Sequence, residues 1–154
     1  RRYVMLNLHP ALPGGPIGTW QEVIWQLIAA RAPRAGGMVH LVTEEVDRGP
    51  PIAHYAFAIQ GPEWEPLWRE VVGRPVGELQ ATRGEELPLF QAIRRGQLRR
   101  EPYLLAETLR AVAEGEVRVE GGRVLDRAGC PAAGVDLSEA IEEAIRRDQG
   151  VPRA

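Results

Sequence analysis

Short apolar runs separated by turn-forming residues predict a strand, a helix and two more strands in the first part of the chain. Thr19 and Glu22 form a capping-box pattern that predicts the start of the helix, and Pro33 with Gly36 and Gly37 predicts its end. The predicted strands, rich in apolar and β-branched residues, span 3–8, 38–42 and 52–59. This order is typical of an α/β fold, with the first strand buried.

The remainder of the chain predicts helices and one hairpin. Proline and glycine interrupt residues 61–83, where only a short helix is expected. Glu116–Leu125 predicts a hairpin, because valines alternate with charged residues on both sides of Gly121-Gly122. Asp136 and Glu139 predict the cap of the last helix. The helices in this part are expected over 64–72, 87–100, 102–114 and up to residue 148.

The pattern divides the chain into three segments. Residues 1–60 hold the α/β core, which we expect to be partial. Residues 61–98 read as an insertion or connection of mixed helix and loop, and residues 99–150 as a helix, a hairpin and a final helix.

Composition excludes several classes of protein. A formal charge of −2 on 154 residues argues against a nucleic-acid partner, and no apolar run approaches the roughly 18 residues that cross a membrane. A single cysteine cannot form an intramolecular disulfide, so we expect a cytoplasmic location. All 19 basic residues are arginine, and Asn7 is the only asparagine, which is typical of a thermophilic or GC-rich source.

Asn7 and His9 are the first candidate functional residues. They lie two positions apart at the end of the first predicted strand, so their side chains project from the same face. An amide beside an imidazole at a strand end can stabilise an oxyanion or move a proton. The alternative is structural, with Asn7 bonded to a loop backbone and His9 closing the end of the sheet.

The acidic loop Thr43–Pro50 is the second candidate. It follows one predicted strand and precedes the next, so a carboxylate from it, such as that of Asp47, can approach the face that bears Asn7 and His9. The alternative is a solvated acidic turn in which Asp47 pairs with Arg48 or with a backbone amide. A metal site is a further, less favoured hypothesis, and its candidate ligands are His9, His40, His54 and Asp47.

Together these features resemble the catalytic core of the folate-dependent formyltransferases, above all their transformylase and hydrolase branches. The resemblance rests on Leu6–Pro13 (LNLHPALP), on Gly18–Gln21 (GTWQ) and on Met38–Ile52 (MVHLVTEEVDRGPPI). A weaker match covers Arg100–Tyr103 with the helix and hairpin that follow. Asn7 and Asp47 stand 40 residues apart, and the two motifs occur in the family's order.

The resemblance implies a fold and a reaction. The fold is the carboxyl-terminal part of an open Rossmann-like sheet, followed by helices and a β-hairpin. The reaction is transfer of the formyl group of 10-formyltetrahydrofolate to a primary amine, with Asn7 and His9 stabilising the oxyanion and Asp47 assisting proton transfer. Glu101 is then the contact to the amine substrate, and no metal is implied. The implied folate contacts are Thr43, Glu44, Glu45 and Val46.

The sequence also departs from the family. Ala11 stands where the family often has serine. Pro102 follows Glu101 where the ribonucleotide branch has histidine, so the sequence does not identify the acceptor amine. The family's amino-terminal half does not precede the first strand, and the chain does not begin with Met, so we expect a start further upstream. We also expect the sheet edge to be covered by that half or by a second copy.

Two alternatives to the transferase follow from the same resemblance. One is a formyltransferase-like module that has lost activity and serves binding or assembly. The other is a formyltetrahydrofolate hydrolase, because the catalytic residues would be the same in both enzymes.

Overall fold

The computed structural model describes residues 3–150; residues 1–2, which open the first predicted segment, lie outside the described range, as do residues 151–154. The described residues form a four-stranded sheet, a separate two-stranded hairpin and five α-helices. The strands are β1 Leu6–His9, β2 Arg34–Leu41, β3 Pro51–Ala58, β4 Val117–Glu120, β5 Arg123–Asp126 and β6 Val135–Asp136. The helices are α1 Trp20–Ala29, α2 Glu65–Arg69, α3 Val76–Thr82, α4 Pro88–Ala113 and α5 Ser138–Asp148.

The larger sheet is mixed, with the strand order β1-β2-β3-β6. β1, β2 and β3 pair antiparallel, whereas β3 and β6 pair parallel. One face of this sheet packs on α4 and α5 through a cluster that includes Val39, Tyr55, Leu104 and Ile141. The α/β class and the hairpin expected from the sequence are confirmed. Residues 61–83 hold two short helices, α2 and α3, where only one was expected.

The first helix begins as predicted and ends earlier. Thr19 Oγ1 accepts from the Glu22 backbone N–H, and Glu22 Oε2 accepts from the Thr19 N–H at 2.7 Å, which completes the capping box. Gly36 and Gly37 do not end the helix; they lie inside β2. A Cβ at Gly36 would come within 2.1 Å of the Tyr55 carbonyl oxygen, so glycine is required there by the close approach of β3.

The prediction of a buried first strand over residues 3–8 is wrong in both bounds and burial. The strand spans Leu6–His9, and Tyr3 and Met5 before it are 86% and 63% exposed. The reason is the position of β1 at the edge of the sheet, where β2 is its only partner among residues 3–150. The apolar run therefore marks an uncovered edge.

The two helices predicted over 87–100 and 102–114 are one continuous helix, α4. Pro102 lies in its interior, where it cannot donate to the Leu98 carbonyl one turn earlier. Burial of α4 against the sheet and against α1 and α5 outweighs this loss. The proposed boundary between residues 98 and 99 falls inside α4.

The carboxyl-terminal elements agree with the pattern except at one cap. Gly121 and Gly122 form the two-residue turn of the hairpin with φ of 59° and 77°, values that favour glycine. Asp136 does not pair with Glu139 in a capping box. Its Oδ1 accepts from the backbone N–H and the hydroxyl of Ser138, because α5 begins at Ser138 and Asp136 lies too far back to be its N-cap. Within residues 3–150, no helix combines the length and apolar character that crossing a membrane requires.

Replacing Pro102 by alanine should stabilise the protein. The new N–H can bond to the Leu98 carbonyl, so we expect the free energy of unfolding to rise by about 1–3 kcal/mol in urea denaturation. Pro88 is the matched control, because at the first position of the same helix no N–H is needed. Pro88→Ala should change the value by about 0.5 kcal/mol or less, and equal effects of the two substitutions would contradict this reading of α4.

Candidate active site

The structure brings Asn7, His9 and Asp47 together at the end of β1. The alternation along β1 points Asn7 and His9 to the same face, and the loop after β2 returns Asp47 to that face. Asn7 Nδ2 donates to Asp47 Oδ1 at 3.1 Å, and His9 Nδ1 lies 3.4 Å from Asp47 Oδ2. One carboxylate thus contacts both side chains. Among the contacts of the described residues, the Arg48 side chain pairs with Glu45 and not with Asp47.

His40 is a fourth member of this cluster whose place in it was not predicted. It lies opposite Asn7 in the β1–β2 pairing, and the register between β2 and β3 shifts between Val39 and His40. His40 Nε2 is 3.5 Å from Asp47 Oδ1 and 3.4 Å from Asn7 Nδ2. The signal that could have found it was the antiparallel register, which the sequence pattern did not specify.

The hydrogen-bond partners indicate which histidine nitrogens carry protons. His40 Nδ1 lies 2.9 Å from the Leu41 carbonyl oxygen, which can only accept, so Nδ1 carries the proton and Nε2 of the neutral ring accepts from Asn7. His9 differs, because its Nε2 lies 3.0 Å from the Pro16 carbonyl and its Nδ1 faces Asp47. A protonated His9 donates to both acceptors, whereas a neutral ring donates to one.

Backbone geometry holds Asp47 in this position. Asp47 has a φ of +54°, a left-handed conformation that costs a non-glycine residue of order 1 kcal/mol. Gly49, two residues later, lies so close to β2 that a Cβ would come within 1.6 Å of the Leu41 carbonyl oxygen. The loop is closed onto the sheet by the bond from the Leu41 N–H to the Pro50 carbonyl at 3.0 Å.

A cavity of about 490 Å³ lies against this cluster. Asp47 lines it, together with residues 13–17 of the loop after β1 and residues 48–51 of the loop after β2. His9 and His40, which approach Asp47, are buried, with 3% and 2% of their surface exposed, whereas Asn7 is exposed. The arrangement combines an enclosed carboxylate, two imidazoles and an amide beside a space of the size that small ligands occupy.

The four residues expected to contact folate lie in the loop after β2 and are all exposed. Thr43 Oγ1 donates to the Glu45 carbonyl at 3.0 Å, which shapes the turn that leads to Asp47. Glu45 also lines the cavity, and Val46 is 77% exposed. Their role in folate binding stays a prediction.

Glu101 lies on α4, and no contact in the described part of the chain joins it to Asn7, His9 or Asp47. Its carboxylate accepts from Arg94 NH1 at 2.8 Å, and the Arg94 guanidinium lies 4.7 Å from the centre of the Trp20 ring. Both partners of this ion pair are largely buried, so the carboxylate is held in one place. Its contact to an amine substrate stays a prediction.

The four-residue metal hypothesis is not supported by the geometry. His54 Nε2 lies 4.0 Å from Asp136 Oδ2, away from Asp47, and Met38 lies between His9 and His54 in the strand pairing. Hydrogen bonds from Ser138 hold the pKa of Asp136 below its usual value. In the described range, no group of three or more His, Cys, Asp or Glu residues is arranged to hold a metal ion.

Solved structures with which this chain can be aligned include three enzymes. Glycinamide ribonucleotide transformylase 1 from Symbiobacterium toebii aligns at 29% identity and a TM-score of 0.48, over 77% of this chain and 43% of that one. Phosphoribosylglycinamide formyltransferase from Coxiella burnetii aligns at 22% identity and a TM-score of 0.47, over 86% of this chain and 50% of that one. Formyltetrahydrofolate deformylase from Burkholderia mallei aligns at 20% identity and a TM-score of 0.41, over 79% of this chain and 34% of that one.

The chain therefore spans half or less of the length of each of these proteins. No protein-family model matches the chain, and no curated protein sequence matches it.

Replacing Gly49 by alanine should displace the loop that carries Asp47. The added Cβ cannot fit against the Leu41 carbonyl, so we expect the free energy of unfolding to fall by about 2–4 kcal/mol in urea denaturation. Gly77 in α3 is the control, since a Cβ there would meet no atom within 4 Å. Gly77→Ala should stabilise the protein by about 0.5–1 kcal/mol. A Gly49→Ala protein as stable as the unmodified one would show that the loop does not depend on this close approach.

Proposed function

We propose that this chain carries the catalytic side chains of a folate-dependent formyltransferase, which transfers the formyl group of 10-formyltetrahydrofolate to a primary amine. The observation that carries the proposal is the convergence of Asn7, His9 and Asp47 on one carboxylate-centred cluster beside a cavity. A glycinamide ribonucleotide-like amine is the first acceptor to test, with purine biosynthesis as the corresponding pathway. A cytoplasmic location stays a prediction.

The chemistry follows from the donors in the cluster. The amine attacks the formyl carbon, and the carbonyl oxygen becomes an oxyanion that needs hydrogen-bond donors. Asn7 Nδ2 has two N–H groups, of which one remains bonded to Asp47 while the other can turn from His40 to the oxyanion. His9 can donate from Nε2 when the Pro16 carbonyl withdraws. Each such donor contributes a factor of about 10² to 10³ to the rate.

Proton transfer involves the carboxylate. The attacking amine must lose a proton as the carbon–nitrogen bond forms, and Asp47 can accept it directly or through a water molecule. His40 Nε2 lies 3.5 Å from Asp47 Oδ1 and is unprotonated in the neutral ring, so it offers a second acceptor next to the carboxylate. As the tetrahedral intermediate collapses, the bond from the formyl carbon to the folate nitrogen breaks, the proton taken from the amine passes to that nitrogen, and tetrahydrofolate leaves.

Two binding roles complete the proposal. The backbone and side chains of Thr43–Val46, exposed beside the cavity, are suited to hold the pterin ring of the folate. Glu101 is suited to accept a hydrogen bond from the neutral acceptor amine, in exchange for part of its pairing with Arg94.

Substitution of the cluster should reduce formyl transfer. The assay uses the chain co-expressed with the amino-terminal half of a glycinamide ribonucleotide transformylase, here termed the complemented preparation, and measures tetrahydrofolate, formylated amine and formate. Asn7→Ala, His9→Gln and Asp47→Asn should each lower kcat by about 10²-fold or more. His54→Gln is the control, because His54 projects from the same sheet face but pairs with Asp136, and its kcat should stay within about 2-fold of the unmodified value.

Each other outcome of this assay excludes the proposal. Full activity of the Asn7 and Asp47 variants would remove these residues from the mechanism. Formate without formylated amine, with any acceptor tried, would identify a hydrolase. No turnover and no thermal stabilisation by folate in the complemented preparation would identify a module that has lost activity.

The edge of β1 should be covered by another polypeptide. Tyr3, Val4, Met5 and Leu6 are 39–86% exposed, and β1 has unpaired backbone groups on its outer side. We propose that either the amino-terminal half of a formyltransferase or a second copy of this chain adds to this edge.

Size-exclusion chromatography with light scattering tests this assembly. The chain alone should run as a dimer or larger species, and the complemented preparation as a one-to-one complex. Val4→Lys with Leu6→Lys should weaken both associations, because charge on an edge strand opposes pairing. A stable monomer at all concentrations that does not bind the amino-terminal half would contradict the proposal.

A further inference from the structure

A buried glutamine on α4 contacts the backbone that carries the candidate catalytic histidine. Gln97 is completely buried, and its Nε2 donates to the Pro10 carbonyl at 2.8 Å and lies 3.4 Å from the Gly36 carbonyl. Its Oε1 has no hydrogen-bond partner among the described residues. The side chain therefore gives up one hydrogen bond to make the contact to Pro10.

The orientation of this amide is fixed by its partners. Both carbonyls can only accept, so the NH₂ group must face them, and the reverse orientation would place Oε1 against two oxygen atoms. Pro10 follows His9 directly, and Gly36 lies in β2. One side chain thus joins α4, β2 and the start of the loop that supplies the Pro16 carbonyl to His9.

The backbone of α4 is anchored at the same residue. The Tyr55 hydroxyl donates to the Gln97 carbonyl at 3.4 Å. Burial, with a smaller contribution from Glu101, raises the pKa of Tyr55 well above its usual value, so this hydroxyl stays a donor. Glu101 follows Gln97 by one helical turn and therefore lies on the same face of α4.

We infer that Gln97 is a positioning residue, which fixes the His9 backbone relative to Glu101 by holding the Pro10 carbonyl. The inference rests on the proposed function, in which His9 acts on the formyl group and Glu101 on the amine. Pro16 must withdraw from His9 during that reaction, so the loop after β1 has to move. The Gln97 contact at Pro10 confines this movement to the residues beyond His9.

The positioning role gives a specific kinetic expectation. Gln97→Met keeps the size of the side chain and removes the donor, so in the complemented preparation kcat should fall about 10- to 100-fold. The KM for the amine and for the folate should change by less than about 2-fold, because Gln97 lines neither group of proposed contacts. In a His9→Gln background the same substitution should have little further effect, since Gln97 acts through His9.

A measurement independent of turnover separates this inference from the proposed function. Gln97→Met should shift the NMR signals of the His9 ring and leave those of His54 unchanged. Thr108→Val is the matched control, because Thr108 is also buried on α4 with an unpartnered hydroxyl but contacts no part of the site. It should leave the His9 signals unchanged.

The outcomes are distinct. Unchanged His9 signals in a folded Gln97→Met protein would overturn the inference, as would changed signals with an unchanged kcat. If the unmodified complemented preparation shows no formyl transfer, the proposed function fails, and the NMR comparison still reports whether Gln97 holds His9. If Gln97→Met does not fold, scalar coupling across the hydrogen bond from Gln97 Nε2 to the Pro10 carbonyl carbon can be measured in the unmodified protein. Its absence would overturn the inference.

Discussion

The site depends on one constraint: the largely buried carboxylate of Asp47 must find hydrogen-bond donors in place of water. Only 12% of the Asp47 side chain is exposed, and a carboxylate removed from water is stable only when donors or cations replace the lost hydration. Asn7 Nδ2 donates to this carboxylate at 3.1 Å and His9 Nδ1 lies 3.4 Å from it, whereas His40 Nε2, at 3.5 Å, can donate only when its ring is protonated. Because the three side chains come from β1 and β2, the antiparallel pairing of those strands is itself a requirement of the site.

The loop that carries Asp47 accepts local strain to reach this position. Asp47 has a left-handed backbone conformation, and Gly49 lies tightly against the Leu41 carbonyl. Each feature is unfavourable in an ordinary loop, and both occur within three residues. The contacts of the carboxylate and the bond between Leu41 and Pro50 offset that strain. The same contacts explain why the neighbouring Thr43–Val46 can stay exposed: Asp47 and Gly49, on its far side, anchor the loop to the sheet.

The positions of Asn7, His9 and Asp47 could be predicted from the sequence, because they depend on features of short segments of the chain. Strand alternation placed Asn7 and His9 on one face, and the polar loop between two strands placed Asp47 near them. His40 and Gln97 depend instead on tertiary geometry: His40 joins through the register of β1 against β2, and Gln97 through the packing of α4 across the sheet. Proline at 102 predicted a helix end, but the local cost of one lost hydrogen bond was smaller than the burial gained by a continuous helix.

The placement of the catalytic candidates on an edge strand links the fold to its chemistry. A central strand is hydrogen-bonded to a neighbour on both sides, whereas β1, among residues 3–150, pairs only with β2. Asn7 is consequently exposed, although its neighbours His9 and His40 are buried. An edge strand also moves more readily than a central strand. Contacts from other elements must then hold β1 in place. Asp47 provides one by accepting from Asn7, and Gln97 provides another by donating to the Pro10 carbonyl.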